Sequence, residues 1–305
     1  MQRWNRTWTK AAVAWAALAA LSCGGGGGGS SGFIRLNFET SVTGSQRKAF
    51  TDAAARIGKI VTSILGDVKF LGGETCGAGT GVEYPVPSSV KGLLIFVEVK
   101  AIDGPNGVLA ASGPCYARKS SRLPVVGIMS FDVADLDTIE QKGLLDAVVL
   151  HEMLHVVGFG TIWPDKGLLD RDTCSADSCP LVSDPKFLGA GAIDAYKNFN
   201  GGTTDTVPVE NQGGAGTALS HWRDVVFRNE LMTGYVSGTT QPLSRTSIAS
   251  LADLGYQVDL SQADPFDLAT ASNARALAGG TTEEPSVFLG QDTLPAPPRT
   301  VDDAP

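Results

Sequence analysis

The chain has 305 residues, of which 43% are hydrophobic and 18% are charged. This composition allows a sizeable buried core and excludes an intrinsically disordered chain. Its 24 Lys and Arg residues are outnumbered by 32 Asp and Glu residues, for a formal net charge of -8. Since no basic face alternates with aromatic residues, nucleic acid is excluded from the expected partners.

The first residues predict an export signal. Three basic residues lie among the first ten, and an apolar run over 11–21 follows them. This run is too short for a stable membrane span. Residues 19–23 (AALSC) resemble a bacterial lipobox, in which Cys23 becomes the lipidated N-terminus, and six glycines then form a flexible tether. We expect a lipoprotein on the outer membrane or cell surface; the alternative is a plain signal peptide and a secreted protein.

The first half of the mature chain predicts a sheet with one helix packed on it. Strands are predicted from alternating or continuous apolar residues, and the helix from apolar residues that recur at helical spacing. In chain order, these elements are a strand over 33–38, a helix over 45–65, a Gly-rich loop over 72–81, and strands over 93–102, 108–112 and 123–131.

The second half predicts helices separated by a long irregular region. One helix runs from Thr138 or Lys142 to Val157, and Gly158 ends it. Residues 160–220 are dominated by loops, with one short helix near 192–199. The last helix spans 244–254, with an N-cap at its first residue and a glycine after its last.

These elements divide the chain into five parts. The predicted parts are a lipoprotein-type signal peptide over 1–22, a Gly/Ser linker over 23–32, the two subdomains of one folded domain over 33–160 and 161–264, and a mobile tail over 265–305.

Four cysteines remain once Cys23 is set aside, and an even number in an exported chain suggests two disulfides. Three pairings are possible. Cys174 with Cys179 would close a natural short loop, which leaves Cys76 with Cys115. A cysteine metal site is the weaker alternative, because none of the spacings is CxxC.

The segment 148–158 (VVLHEMLHVVG) carries the strongest functional signal. His151 and His155 are four residues apart, so a helix presents both imidazoles to one point, where they suit a zinc ion. Glu152 follows the first ligand and is placed to act as a general base on water. The alternative is an ordinary buried helix with two satisfied histidines. The apolar flanks argue against it, because burying these groups without a shared task would be costly.

A catalytic zinc ion needs a third protein ligand and an open position. His221 is the last of only three histidines in the chain, so we predict it as that ligand. The alternative is a surface loop histidine, with a carboxylate completing the site. The competing carboxylates downstream of the helix are Asp170, Asp172, Asp184, Asp194 and Asp224.

Met232 lies in a turn close to a glycine, eleven residues after His221. It is either an ordinary core methionine or a floor beneath the metal. Tyr235 follows three residues later, and its phenol could hydrogen-bond a transition-state oxyanion or reach the metal.

HEMLHVVGF over 151–159, a long insertion, HW at 221–222 and NELMTG over 229–234 together resemble the leishmanolysin family of metzincin zinc peptidases, in its bacterial form. Metzincins usually place the third ligand three residues beyond the glycine, where this chain has Thr161. The leishmanolysin branch instead inserts a long segment before the third histidine. The segments 113–136 and 242–259 share the resemblance, which runs from about residue 33 to 264.

The resemblance implies one catalytic zinc ion held by His151, His155 and His221, with Glu152 as base. It also implies Met232 as the Met-turn residue and Gly158 as the point where the chain turns toward the third ligand. The tyrosine after the Met-turn of some other metzincins comes two residues after the Met, so that role is not carried over to Tyr235.

The implied fold is α+β and metzincin-like. Its upper lobe would hold a mixed sheet and two helices, including the one with the HExxH motif. Its lower lobe would be loop-rich, with the Met-turn and a C-terminal helix. The strand near 123–131 or its neighbour would form the edge of the cleft and pair with substrate backbone.

The activity implied is a zinc metalloendopeptidase that cleaves extracellular or periplasmic proteins and peptides. Other interpretations stay open at this stage: an inactive surface binding protein, a metal-dependent amidase of cell-wall peptides, and a purely structural zinc site. A structural site fits less well, because such sites usually have four ligands and often cysteines.

Overall fold

A computed structural model of the chain describes residues 32–79, 81–105, 107–175, 178–180, 182–236, 240–268, 287–289, 293–294 and 297–303. The predicted signal peptide and Cys23 lie outside the described residues, so export and lipidation stay predictions. Among the residues that the structure describes, no helix has both the length and the apolar character needed to cross a bilayer.

The chain folds into fourteen short or medium strands and six helices within the described residues. In chain order they are β1 (Ile34–Phe38), α1 (Gly44–Ile60), β2 (Val68–Lys69), β3 (Thr75–Cys76), β4 (Tyr84–Pro85), β5 (Ser89–Val90), β6 (Leu93–Lys100), β7 (Ala110–Arg118), β8 (Pro124–Asp132), α2 (Val133–Gln141), α3 (Leu145–Val157), β9 (Leu169–Asp170), β10 (Lys186–Phe187), α4 (Ala190–Asn200), β11 (Val207–Pro208), α5 (Asp224–Phe227), β12 (Tyr235–Val236), α6 (Arg245–Leu254), β13 (Val287–Phe288) and β14 (Arg299–Val301).

The central feature is a five-stranded mixed sheet in the order β1-β6-β8-β7-β14. β1, β6 and β8 run parallel, while β7 is antiparallel to β8 and β14 is parallel to β7. The parallel pair β1 and β6 needs a long crossover, and α1 lies within it. The predicted α+β class with a mixed sheet is confirmed.

Alternation along the strands separates two cores on the two faces of the sheet. In β6, Ile95 and Val97 join the larger core with α1 and α3, whereas Leu94 and Phe96 join a smaller core on the opposite face. The sheet therefore holds α3, the helix with the HExxH motif, against one of its faces.

α1 begins at a capping box, as its sequence allows. Thr43 Oγ1 accepts a hydrogen bond from Gln46 N, and Gln46 Oε1 accepts one from Thr43 N. The predicted end at residue 65 is wrong. The helix stops at Ile60 because Val61 adopts an extended conformation and pairs with Val258. A contact with a segment almost two hundred residues away ends the helix, and local periodicity cannot reveal it.

Of the two starts predicted for the helix that ends at Val157, Thr138 is wrong because it lies in a separate helix, α2, whereas Lys142 lies three residues before the start of α3. α2 and α3 are separated at Gly143, whose positive φ of 70° ends the first of them. α2 begins after Asp132, whose Oδ1 accepts from Ala134 N and whose Oδ2 accepts from three successive amides over 102–104. Burial alone would raise the pKa of Asp132, but these backbone donors outweigh it and lower the pKa.

The described residues that follow α3 are arranged around an aromatic cluster. Trp163, Phe187, Trp222 and Phe227 are wholly buried, and their neighbouring rings lie 4.8–5.5 Å apart between centroids. β9, β10 and β11 form a small antiparallel sheet, and α4 packs on α6. The cluster packs Trp222, and with it the neighbouring His221, against the segment that follows α3.

Two disulfides connect the chain as predicted, Cys76 with Cys115 and Cys174 with Cys179. The first bond joins β3 to β7 across a sequence separation of 39 residues, and the second closes a loop with a separation of 5. The first disulfide therefore fastens β7, the strand that reaches the candidate site.

Parts of the C-terminal region pair with the folded domain. β13 pairs with β12, β14 pairs with β7, and Asp303 forms a bridge to Val68. The prediction of a mobile tail over 265–305 concerns motion, and it stays a prediction.

Candidate metal centre

α3 presents two imidazoles to the same point. His151 and His155 lie one turn apart on it, with ring centroids 4.7 Å apart, and both are wholly buried. The helix ends at Gly158, whose φ of 122° suits glycine, and a Cβ there would lie 2.8 Å from Ile162 Cδ1. The sharp turn after the helix therefore needs the glycine that the sequence provides.

His221 reaches the same point from the loop before α5. A Cβ on Gly160 would lie only 2.1 Å from Ser220 O, and Gly160 has a φ of 74°. Only glycine allows this close approach, which brings the segment before His221 against the chain that leaves α3. Thr161, at the usual metzincin position of the third ligand, instead donates its hydroxyl to His155 O, 2.8 Å away.

The three imidazoles converge through their Nε2 atoms. The distances between these atoms are 2.9 Å for His155 and His151, 3.0 Å for His155 and His221, and 3.1 Å for His151 and His221. Among the described residues, these three histidines form the one group with metal-binding geometry. None of the five competing aspartates belongs to it; Asp184, for instance, forms ion pairs with Arg223 and Lys186.

A backbone carbonyl orients each ring from behind. His151 Nδ1 lies 2.7 Å from Leu231 O, His155 Nδ1 lies 2.9 Å from Phe159 O, and His221 Nδ1 lies 2.9 Å from Thr217 O. A carbonyl only accepts, so each Nδ1 carries the hydrogen and each Nε2 directs its lone pair to the shared point. This is the usual arrangement behind metal-bound histidines.

The donor set fits a zinc ion. Three nitrogens about 3 Å apart lie roughly 1.7 Å from their common centre, which is less than the Zn–N bond length of about 2.0–2.1 Å. One zinc ion would therefore be held by all three Nε2 atoms. Neutral imidazole nitrogens suit zinc, and three protein ligands leave a position for water or substrate.

Glu152 follows the first histidine and is wholly buried. Ser112 Oγ, on β7, lies 2.6 Å from Glu152 Oε2 and 3.0 Å from Glu152 O. The hydroxyl hydrogen is thus shared by two oxygens of one residue, and it holds the carboxylate in a defined orientation. Of the two strands predicted as possible cleft edges, β7 contacts the site, whereas β8 lies inside the sheet between β6 and β7.

The turn that contains Met232 packs next to the three histidines and contacts His151. Met232 is wholly buried, its carbonyl accepts from Trp222 N at 3.0 Å, and the preceding Leu231 provides the carbonyl behind His151. Leu231 thus contacts His151, and Met232 contacts Trp222, the residue after His221. Tyr235 lies just beyond it, and its backbone pairs with Phe288.

Glu230 is a wholly buried carboxylate that fixes this turn. Its Oε2 accepts from Met232 N, and its Oε1 accepts from Ser244 N at 2.9 Å and from Ser247 Oγ. Ser247 Oγ in turn accepts from Trp222 Nε1 at 2.8 Å. The carboxylate thus links the start of α6, the turn and the segment that carries His221. Burial raises the pKa of Glu230 more than these donors lower it.

The sequence predicted the three histidines that converge in the structure, but not the residues that hold the histidines and Glu152 in position. Ser112, Thr217 and Glu230 were not predicted, although Glu230 lies within the NELMTG segment. A charged residue directly before Leu231 and Met232 is a signal that could have revealed it, because such a charge is buried only with partners. Ser112 contacts Glu152 from a distant part of the chain, and Thr217 contacts His221 through a backbone carbonyl that any residue could provide, so neither leaves a comparable signal.

Comparison with known proteins agrees with this geometry. The sequence profile of the leishmanolysin family, peptidase M8, matches residues 63–279. Leishmanolysin of Leishmania donovani is 25% identical over 241 residues, which cover 73% of this chain and 38% of that protein. A leishmanolysin homolog of Crithidia fasciculata is 26% identical over 64% of this chain and 30% of its own length.

A leishmanolysin-like peptidase of Caenorhabditis briggsae is 39% identical over 198 residues, or 52% of this chain and 29% of that protein. The chain therefore spans about two fifths or less of the length of these relatives. The family profile covers more than half of the chain, including α3, His221 and the turn at Met232. The chain belongs to the leishmanolysin family of peptidases.

Proposed function

We propose that this chain is a zinc-dependent metalloendopeptidase that hydrolyses peptide bonds in proteins or peptides. One observation carries the proposal: three wholly buried imidazoles converge within 3.1 Å of one another beside a buried carboxylate. The family to which the chain belongs supports it. The chain is shorter than its relatives, so the proposal concerns the residues present here.

His151, His155 and His221 would hold the ion, each through Nε2. When bound, zinc supplies a Lewis acid that makes water more acidic and stabilises negative charge on a carbonyl oxygen. The carbonyls behind the rings keep each Nδ1 protonated, so the three Nε2 atoms stay available as ligands. Met232 and Gly158 would shape the centre without touching the reacting atoms.

Glu152 would act as the general base and then as the general acid. It takes a proton from the water whose oxygen attacks the scissile carbonyl carbon. When the C–N bond breaks, Glu152 gives this proton to the leaving amine. Ser112 would act through Glu152 as a positioning residue, because its hydroxyl holds Oε2 in place. Because Glu152 is buried, its charge interacts with fixed groups such as the Ser112 hydroxyl and not with bulk water.

We also propose export, with substrates outside the cytoplasm. The basic N-terminal residues and the apolar run over 11–21 support this, as do the two disulfides within the domain. A lipid on Cys23 would then bring the domain to a membrane surface. Absence of an acyl group in the intact mass of the protein, extracted from membranes of its own host, would contradict that part.

Cleavage of a peptide library tests the activity directly. Zinc-loaded wild type is expected to cleave a defined set of sequences, while Glu152→Ala binds zinc and cleaves almost none. Equal cleavage by both would mean that Glu152 is not the base. No cleavage by either, with zinc bound, would favour an inactive binding protein or a narrow substrate such as a cell-wall peptide, and an amidase assay on such peptides separates these two.

A further inference from the structure

The C-terminal region approaches the candidate centre from the side of the Met232 turn. β13 pairs antiparallel with β12, with Phe288 opposite Tyr235. Leu289 is wholly buried in the larger core, and its amide donates to Gly234 O at 3.3 Å. This segment is therefore fastened to the turn that carries Met232.

A few residues later, the same region contacts both β7 and the segment that precedes His221. Thr293 forms a parallel bridge to Ser112 on β7, and Leu294 N donates to Ser112 O at 3.0 Å. On the other side, Thr293 Oγ1 donates to Gly216 O at 3.1 Å. Ser112 holds Glu152, and Gly216 immediately precedes Thr217, which orients His221. Thr293 and Leu294 therefore contact Ser112, which is hydrogen-bonded to Glu152, and Thr293 also contacts the residue before Thr217, which is hydrogen-bonded to His221.

β8 pairs with one side of β7 along most of its length. On the other side, the described residues show β14 paired with residues 116–118 and Thr293 paired with Ser112. Gly113 has no side chain, and a Cβ there would lie 3.1 Å from Leu294 Cγ. A glycine inside a strand often marks the close approach of another backbone, and here that backbone belongs to the C-terminal region.

We propose that residues 293–294 of this chain occupy the edge of β7 at residues 112–113 and so compete with a peptide substrate for the backbone groups of that edge. The proposal rests on the proposed function: a peptide that enters the cleft to reach Glu152 must displace these residues. Strand addition at an open edge takes its affinity from backbone hydrogen bonds, so the chain's own segment and a substrate compete for the same donors and acceptors.

Two hydrogen bonds and apolar packing hold the occupant at this point. Leu294 donates its amide to Ser112 O and packs its side chain on the smaller core, and Thr293 donates its hydroxyl to Gly216 O. On either side, Leu289 is buried in the larger core and β14 pairs with β7. We call the described residues 287–289, 293–294 and 297–303 the strap.

Leu294→Pro tests the proposal in the full chain, because proline has no amide hydrogen to donate to Ser112 O. The expected result is a KM for a peptide substrate lower than that of wild type by about fivefold or more, at unchanged kcat, because the occupant loses one net hydrogen bond and the packing of the leucine side chain on the smaller core. The matched control is Asp302→Ala, which removes an exposed ion pair with Lys119 at the far end of the strap. It is expected to leave KM unchanged.

Hydrogen exchange separates this proposal from the proposed function. Peptides that cover residues 287–294 are expected to exchange slowly in wild type and faster in Leu294→Pro, whether or not the protein cleaves anything. Exchange at the rate of an unfolded chain in wild type, or an equal KM for wild type and Leu294→Pro, would contradict the proposal that residues 293–294 occupy the edge of β7. Slow exchange in wild type without any cleavage would support this occupancy and contradict the peptidase activity.

Discussion

Replacement of Glu230 tests whether a carboxylate remote from the reacting atoms sets the zinc affinity. Its two oxygens accept from Met232 N, Ser244 N and Ser247 Oγ, all inside the core. Glu230→Gln keeps the shape but turns an NH2 group toward at least one of these donors. A buried donor without an acceptor costs about 1–3 kcal/mol. We expect the free energy of unfolding to fall by that amount.

The same change is expected to weaken zinc binding. Loss of a group that orients a ligand typically lowers metal affinity about 10–100-fold. Glu230 holds the turn whose Leu231 carbonyl orients His151, and through Ser247 it also reaches Trp222, the neighbour of His221. Glu230→Gln should therefore raise the Kd for zinc by roughly tenfold or more, measured by competition with a chromophoric chelator.

Asp253→Asn provides the matched control. Asp253 accepts from Gly191 N and Ala192 N on α4, and it lies at the C-terminal end of α6, whereas Glu230 contacts the N-terminal end of that helix. This variant is expected to lower the unfolding free energy by a similar amount, about 1–3 kcal/mol, without a change in zinc affinity. Equal zinc affinities for Glu230→Gln and wild type, at reduced stability, would refute the positioning role and leave Glu230 a purely structural group.

Three further predictions address the base, the disulfides and pH. Ser112→Ala should lower kcat about tenfold at unchanged zinc content, since a hydrogen bond to a charged group contributes about 1.5–3 kcal/mol; an unchanged kcat would contradict this. Removal of the disulfide between Cys76 and Cys115 should lower the unfolding free energy by about 4 kcal/mol, from the closure entropy of its loop, and urea titration measures the loss. Because burial raises the pKa of Glu230 above its ordinary 4.5, the folded state binds more protons than the unfolded state just above pH 4.5. This contribution makes the protein less stable as pH rises through the window between the unfolded and folded pKa values, and Glu230→Gln should lack that loss in urea titrations at a series of pH values.

Local sequence rules explain why α3 and two of the ligands could be predicted. The spacing of His151 and His155 fixes their common face once the helix forms, and the apolar flanks show that the helix is buried. His221 followed from the chemistry of zinc and from the small number of histidines. Ser244 as N-cap of α6 and Gly255 as its end are local signals as well, and the structure confirms both.

Other features depend on contacts between distant segments, and local patterns do not encode them. α1 ends at Ile60 because of Val258, and the carbonyl behind His151 belongs to Leu231, eighty positions away. The pairing of the C-terminal strap with β7 is of the same kind. Residues 287–301 include three prolines, which cannot donate backbone hydrogen bonds, so the local sequence does not predict strands there. Tertiary pairing overrides weak local preference in these cases.

Zinc content of three purified proteins tests the central claim most directly. Wild type, Glu152→Ala and His221→Ala would be loaded with zinc, dialysed and analysed for metal, with urea titration to show that each is folded. We expect about one zinc per chain in wild type and Glu152→Ala, and a loss of most of it in folded His221→Ala. Full retention of zinc by His221→Ala would contradict the three-histidine centre on which the proposed activity depends.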